Sequence, residues 1–253
     1  MLTRPINLEK LNQEFESKKP QEIIAWAVQQ FPKGKLAMTS SFGPESGVLL
    51  HMASQADAEI PVLFLETGFH FPETIEYKNS LIKQFGLKNA IDLKADPARR
   101  EKLMSEHQNV PYEKNPDLCC QINKVEPLDL AIKNYSAWMS GIRRNQTDFR
   151  KSIRILEEYE GGMIKISPLA NFTSRDTWWY LKEHNIAQHP LFEKGYMSIG
   201  CWPCTKPIQA GDDERSGRWA GKAKKECGIH TFKEVKKAEE KEQEPPQDIS
   251  ANI

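Results

Sequence analysis

The 253-residue sequence lacks an excess of either charge: 35 lysines and arginines offset 35 aspartates and glutamates. A neutral chain has no global field to gather nucleic acid or an anionic membrane surface, so an anionic ligand must be met by a local cluster of cations. Long apolar runs are missing too. The N-terminus, MLTRPINLEKLNQEFESKKP, is charged throughout without a signal-peptide core, and no later segment approaches a membrane span. These absences predict a soluble, cytoplasmic protein with no nucleic-acid or membrane partner. Internal repeats are absent. Cysteine is scarce and odd in number, five in all. In a reducing compartment that argues against a disulfide framework and for metal or thiolate chemistry.

What is present is an alternation. Short apolar runs at Leu36-Ala37-Met38, Pro61 to Leu65, Ile91 to Leu93, Ala137 to Ser140 and Met163 to Ile166 read as strands. The Val62 to Leu65 run is continuous, as in a strand covered on both faces. Between them the pattern predicts a helix opening within Gly47 to Met52 and another over Pro72 to Phe85, with Pro72 in its first turn and Gly86 as its stop. A third runs from Ser174 to His184, with Thr173 or Ser174 as N-cap and Asp176 in the first turn. Such alternation predicts an α/β fold, a mostly parallel sheet with helices on both faces. The expected organisation is one domain over residues 1–232. Within it, residues 1–32 form two helices separated near Lys19-Pro20, residues 33–210 the core and residues 211–232 a C-terminal segment. Residues 233–253 are charged, poor in large apolar groups and interrupted by Pro245-Pro246, which predicts a disordered tail.

Two features carry chemistry. Ser40-Ser41-Phe42-Gly43-Pro44-Glu45-Ser46-Gly47 is a small-residue turn leading into a helix, a pattern that can aim backbone N–H groups at a phosphate. Alone it fits an ordinary strand-to-helix turn better. The cysteines form two pairs and a singleton: Cys119-Cys120, Cys201-Trp202-Pro203-Cys204, and Cys227. Adjacent cysteines bridge each other only with strain. Four converging thiolates suit zinc or an iron–sulfur cluster, and spacing alone leaves the two near parity. A redox C-x-x-C is disfavoured, since no thioredoxin-like helix pattern follows Cys204. Cys227 lies in Glu226-Cys227-Gly228-Ile229-His230. A lone cysteine is commonly buried or incidental, but this setting is polar and contains glycine; His230 would favour a thiolate if it lies nearby, and it reads equally well as a surface histidine.

In order, SSFGPES, ETGFHFPET, CC, GIRRNQ, GYMSIGCWPC, RSGRW and ECGIH resemble the sulfonucleotide reductases, which reduce adenylyl sulfate or its 3′-phosphorylated form to sulfite. The match runs from Ser40 to His230. The resemblance implies a fold similar to the adenine-nucleotide alpha-hydrolases (ATP pyrophosphatases), with Ser40, Ser41, Phe42 and Gly43 binding substrate. Many relatives have Leu-Asp-Thr where Glu66 stands here, so Glu66 receives no role. The Cys-Cys pair is similar to the cluster-containing branch of the family, implying one [4Fe-4S] cluster on Cys119, Cys120, Cys201 and Cys204. Lys124, Arg143, Arg144, Arg215, Arg218 and His230 are implied substrate-binding residues; Arg143 and Arg144 are not separated by sequence. Cys227 is the implied nucleophile. With four cysteines as ligands no resolving thiol remains, and no fused dithiol domain follows, so the resemblance implies thioredoxin as electron donor.

Family members that prefer the 3′-phosphorylated nucleotide commonly lack both cysteine pairs, so the resemblance favours assimilatory reduction of adenylyl sulfate. Reduction of the 3′-phosphorylated nucleotide, or of both, is the nearest alternative. A cluster-containing tRNA-thiolating enzyme of the same superfamily would need a basic face that this neutral chain does not offer. A non-catalytic nucleotide-binding module with structural zinc is the third reading. A homo-oligomer is compatible with the sequence. Trp138, Trp178, Trp179 and Trp219 are of a kind more often found in a core than stacked on adenine and receive no role, nor do His70 and His189.

Overall fold

The computed structural model describes residues 6–224, 226 and 228–230. Six strands, β1 (Leu36–Thr39), β2 (Val62–Leu65), β3 (Ala90–Leu93), β4 (Ala137–Met139), β5 (Leu156–Glu158) and β6 (Ile164–Ile166), form one sheet in the order β3-β2-β1-β4-β6-β5. Every pairing is parallel except β5 with β6. The sequence pattern does not reveal β5, because Leu-Glu-Glu carries no apolar alternation. Besides its pairing with β6, its backbone is held by a side chain: the Asn12 amide donates to Leu156 O at 3.0 Å and accepts from Leu156 N at 2.9 Å.

Nine α-helices are described: α1 (Leu8–Phe15), α2 (Pro20–Gln30), α3 (Ser46–Ala56), α4 (Pro72–Phe85), α5 (Pro97–Glu106), α6 (Pro111–Lys114), α7 (Pro116–Cys120), α8 (Glu126–Ile132) and α9 (Ser174–Glu183). Helix α4 has the expected bounds, closed by Gly86 at φ 61, a left-handed turn that glycine adopts without steric cost. Helix α9 opens on a capping box between Thr173 and Asp176. Helix α3 begins at Ser46, one residue before the expected Gly47.

Helices cover both faces because successive strand residues point opposite ways. Met38, Phe64 and Met139 pack into a large core with α2, α3, α4 and α9, while their neighbours Ala37, Leu63 and Trp138 pack against Leu128 and Ile132 of α8. The chain leaves β1 for β2 and β3 on one side, then crosses to β4 on the other. That reversal opens a crevice beyond the carboxyl ends of β1 and β4, the usual ligand position in open α/β sheets.

Helices α5 to α8 were hidden from the periodicity. Helix α5 buries only Leu103, and each helix of the group starts on or next to a proline, which reads as punctuation. Between α7 and α8 the backbone widens into a π-helical turn, Gln121–Val125. Trp138 and Trp219 are buried, whereas Trp178 and Trp179 are 41% and 56% exposed. Cys227 and the proposed tail over residues 233–253 lie outside the described residues.

Candidate active site

A cavity of about 210 Å³ opens in the crevice, walled by the Ser40–Ser46 loop, the ends of β2 and β4, and the Met197–Gly200 and Glu214–Trp219 segments. In the loop, Ser40 Oγ accepts the Phe42 N–H at 3.1 Å, a turn that puts Phe42 at φ 48. Ser40, Ser41 and Gly43 face the cavity. The Phe42 side chain is fully buried in the core against Phe64, with ring centroids 5.5 Å apart, so it is the Phe42 backbone that belongs to the loop.

Of the expected cations, Lys124, Arg143, Arg215 and Arg218 line the cavity. Arg144 does not, and its expected substrate role is corrected. Arg143 has extended backbone angles, so the next side chain points the opposite way. Arg144 binds Glu16 through both terminal nitrogens at 2.7 Å and donates from Nε to Ile153 O at 2.9 Å, tying α1 to the sheet. Arg143 is 1% exposed, with Nη1 2.7 Å from Glu45 Oε1 and 2.9 Å from Thr177 Oγ1. Burial pushes the Glu45 carboxyl above its ordinary pKa, against the pull of Arg143. Arg218 lies over the Trp219 ring at 4.5 Å, and its buried Nε has no hydrogen-bond acceptor among the described residues.

His70 and His230 also line the cavity. The His230 imidazole stacks parallel to Trp138. Burial, reinforced by Arg150, Lys165 and Arg215, holds its pKa well below the usual histidine value. His230 is therefore neutral, a hydrogen-bonding group rather than a further cation. His70 donates from Nε2 to Leu65 O at 2.8 Å, and burial lowers its pKa as well. Its buried Nδ1 has no partner among the described residues, which leaves an acceptor at the cavity wall.

Beside this cavity is a small pocket walled by Phe69, Tyr112, Pro116 and Trp219, into which Cys119, Cys120, Cys201 and Cys204 all face. None of the four is in a disulfide among the described residues. Helix α7 and the π-helical turn deliver the adjacent pair; the Trp202–Cys204 turn delivers the other, fixed by Trp202 N to Phe69 O at 2.8 Å and Trp219 N to Cys204 O at 2.9 Å. Burial first, then the other three thiols, push the Cys119 pKa up to about 12. Cys204 is raised chiefly by burial. Thr67 Oγ1 is 3.3 Å from Cys201 Sγ, and the Asn123 amide 3.7 Å from Cys119 Sγ. Arg100 braces both, donating to Thr67 O at 2.5 Å and to Asn123 Oδ1 at 2.6 Å. Among the described residues, no three His, Cys, Asp or Glu donors are grouped closely enough to chelate one metal ion.

Lys124, 9% exposed, lines both the cavity and the thiol pocket, and so does Trp219. The widened helical turn places Lys124 at that junction. Sequence reasoning missed Arg150, Arg100, Glu226, Thr67 and Asn123. Arg150 follows GIRRNQ closely but resembles a surface arginine until the fold buries it to 6%. Glu226, beside the singled-out Cys227, was the more accessible clue.

The fold and this double site define an α/β protein with a cation-lined cavity joined to a four-thiol pocket. The phosphoadenosine phosphosulfate reductase domain model matches residues 35–207, and the chain belongs to that family. It is 44% identical over 209 residues to an adenosine 5′-phosphosulfate reductase of Chelativorans sp., covering 82% of this chain and 84% of that one. It is 41% identical over 228 residues to a phosphoadenosine 5′-phosphosulfate reductase of Gloeobacter violaceus, covering 88% and 93%. Among solved structures, a phosphoadenylyl-sulfate reductase from Candida auris in a phosphate complex superposes with a TM-score of 0.68 at 29% identity, over 79% of this chain and 96% of that one.

Proposed function

We propose that the protein reduces adenylyl sulfate to sulfite and AMP in assimilatory sulfate reduction in the cytoplasm, with thioredoxin as donor. The observation that carries this reading is Lys124, shared by a cavity lined with cations and a pocket of four thiols. No helix among the described residues is long and apolar enough to cross a membrane.

The substrate's reactive end is a sulfate joined to a 5′-phosphate. The Cys227 thiolate attacks sulfur, the bond between sulfur and the phosphate oxygen breaks, and AMP departs with the electron pair. A thioredoxin thiolate then attacks Cys227 Sγ and sulfite leaves; the second thioredoxin thiol resolves the mixed disulfide. Both electrons come from the dithiol. Arg215, Arg218 and Lys124 offset the repulsion between thiolate and sulfonate and meet the charge that grows on the departing phosphate. Ser40, Ser41 and the Gly43 backbone hold the phosphate, and neutral His230 offers a hydrogen bond rather than charge.

The four-thiol pocket fits a soft metal centre. Burial and the neighbouring thiols raise the Cys119 and Cys204 pKa values, so these groups ionise only beside a strong cation, and Thr67 and Asn123 offer hydrogen-bond donors to the sulfurs of Cys201 and Cys119. Cys119, Cys120, Cys201 and Cys204 would hold a [4Fe-4S] cluster, whose contribution when bound is to position Lys124 and to add a fixed field beside the sulfonate. A close relative named for the 3′-phosphorylated nucleotide favours a second reading, acceptance of that substrate. Sulfite release from the two nucleotides, assayed with reduced thioredoxin on the native protein and on Cys227→Ser, tests both. The proposal expects preference for adenylyl sulfate and loss of sulfite in the variant with its iron retained. Full activity in the variant contradicts it.

A further inference from the structure

His70 is fixed by contacts that leave one ring nitrogen spare. It lies between β2 and α4, in a loop pinned by Gly68 N to Glu66 Oε1 at 2.7 Å, Phe69 N to Thr67 Oγ1 at 3.1 Å and Trp202 N to Phe69 O at 2.8 Å. Its ring rests against Phe64, with centroids 4.6 Å apart and planes inclined by 36°. Leu65 O stands 2.8 Å from Nε2, so Nε2 carries the proton, because a carbonyl oxygen cannot donate. The Thr67 N–H approaches the same nitrogen at 3.5 Å, the outer limit of a hydrogen bond, and does not displace that assignment. Burial, with Lys124 and Lys78 behind it, outweighs the Leu65 carbonyl and Glu66 and keeps the ring neutral. Nδ1 is then a bare acceptor, buried and without a hydrogen-bond partner among the described residues.

The serines, Lys124 and the arginines around the cavity present donors, which suit an anion. A phosphosulfate at neutral pH carries acceptors, so Nδ1 has nothing to offer it. The nucleoside half of the substrate is different, since the adenine 6-amino group and the ribose hydroxyls can donate. Beside His70 the cavity wall is apolar, built from Met38, Leu63, Phe64 and Leu65, a surface that suits a base. We infer that His70 Nδ1 accepts a hydrogen bond from the nucleoside of the bound substrate and makes a donor at that point a condition of tight binding. The inference rests on the reading of the cavity as a nucleotide site. A buried acceptor left without a donor is costly, so a ligand that lacks the matching N–H or O–H is rejected. The apolar wall makes the 6-amino group the expected donor, and the ribose hydroxyls are the other source of the same chemistry.

Native protein, His70→Phe and His70→Asn, purified without oxygen, are titrated calorimetrically with AMP and with three analogues that each lack one donor. Purine riboside 5′-monophosphate lacks the amine, and 2′-deoxy-AMP and 3′-deoxy-AMP each lack one hydroxyl. His70→Phe keeps a ring against Phe64 and loses the acceptor, whereas the amide oxygen of His70→Asn can stand where Nδ1 stands. AMP binding is expected to weaken on the order of 10-fold in His70→Phe, the scale of one hydrogen bond, and to recover in part in His70→Asn. One analogue, the one without the amine, is expected to bind native protein roughly 10-fold more weakly than AMP and to lose nothing further in His70→Phe. Loss confined instead to a deoxy analogue, coupled to His70 in the same way, assigns the donor to the ribose. Equal AMP affinity in native protein and His70→Phe, or an equal loss in that variant for AMP and every analogue, overturns the inference. Native protein that binds all three analogues as tightly as AMP overturns it without any variant, which keeps the test open should His70→Phe fail to fold. Native protein that does not bind AMP sinks the nucleotide reading itself, whereas AMP binding indifferent to His70 sinks only the inference.

Discussion

Glu45 Oε1 stands 2.7 Å from Arg143 Nη1, and the pair locks the Ser40–Ser46 loop to the chain that follows β4. Burial raises the Glu45 pKa while Arg143 opposes it, so the Glu45 carboxylate depends on Arg143 for its charge. Arg143→Ala should destabilise the fold by roughly 3–5 kcal/mol, the cost of an unpaired buried charge. Adding Glu45→Gln should restore part of that loss, because the orphaned carboxylate is then gone. Urea melts of the two single variants and the double variant measure the coupling.

Gly200 and Gly217 separate binding from folding. A Cβ on Gly200 would collide with the Arg218 guanidinium, and one on Gly217 with the Lys206 carbonyl. The first neighbour is the end of a flexible side chain and the second is backbone. Gly200→Ala is expected to keep its melting temperature while weakening AMP binding, as Arg218 is pushed from its place over Trp219. Gly217→Ala is expected to lose stability. Calorimetric titration with AMP, alongside thermal melts, checks both.

Arg100 touches no thiol, yet it holds the two groups that do, Thr67 and Asn123. Arg100→Ala should lower metal retention by about 10–100-fold, as for other groups that orient ligands from behind. Iron per protein chain after stepwise chelator challenge is the measurement, and Cys227 alkylation should be unaffected.

Much of the architecture was legible. The strands betrayed themselves as apolar runs, and Pro72 and Gly86 bounded α4 because their backbone preferences are local. What escaped was non-local. β5 pairs with β6 and is tied at Leu156 by the amide of Asn12, 144 residues away. The π-helical turn that aims Cys119, Cys120 and Lys124 together has no residue signature of its own. Arg143 and Arg144 could be told apart only by backbone direction, which sends one to the cavity and the other to Glu16. The four cysteines could be paired by spacing, but their shared pocket depends on the backbone ties between Trp202 and Phe69 and between Trp219 and Cys204.

His189 supplies a pH test. Its Nε2 is 3.0 Å from Thr74 Oγ1, its Nδ1 accepts the Leu191 N–H, and burial lowers its pKa to about 4. Below the ordinary histidine pKa, near 6.5, the unfolded chain takes up a proton that the folded chain refuses. The stability contributed is thus fully present above about 6.5 and is lost as pH falls toward about 4. His51 and His70, whose pKa values are also lowered, add to the same slope. Unfolding free energies between pH 7 and pH 5 should fall less steeply in His189→Gln than in the native protein.

The central claim is that Cys227 takes the sulfonate while four other cysteines hold the metal centre. Anaerobic protein mixed with adenylyl sulfate and no dithiol, followed by intact mass and peptide mapping, tests it most directly. The account predicts one sulfonate per chain, located on Cys227, with an equal amount of AMP released and the iron unchanged. Sulfonate found on Cys119, Cys120, Cys201 or Cys204, or AMP released with no protein adduct, would contradict it.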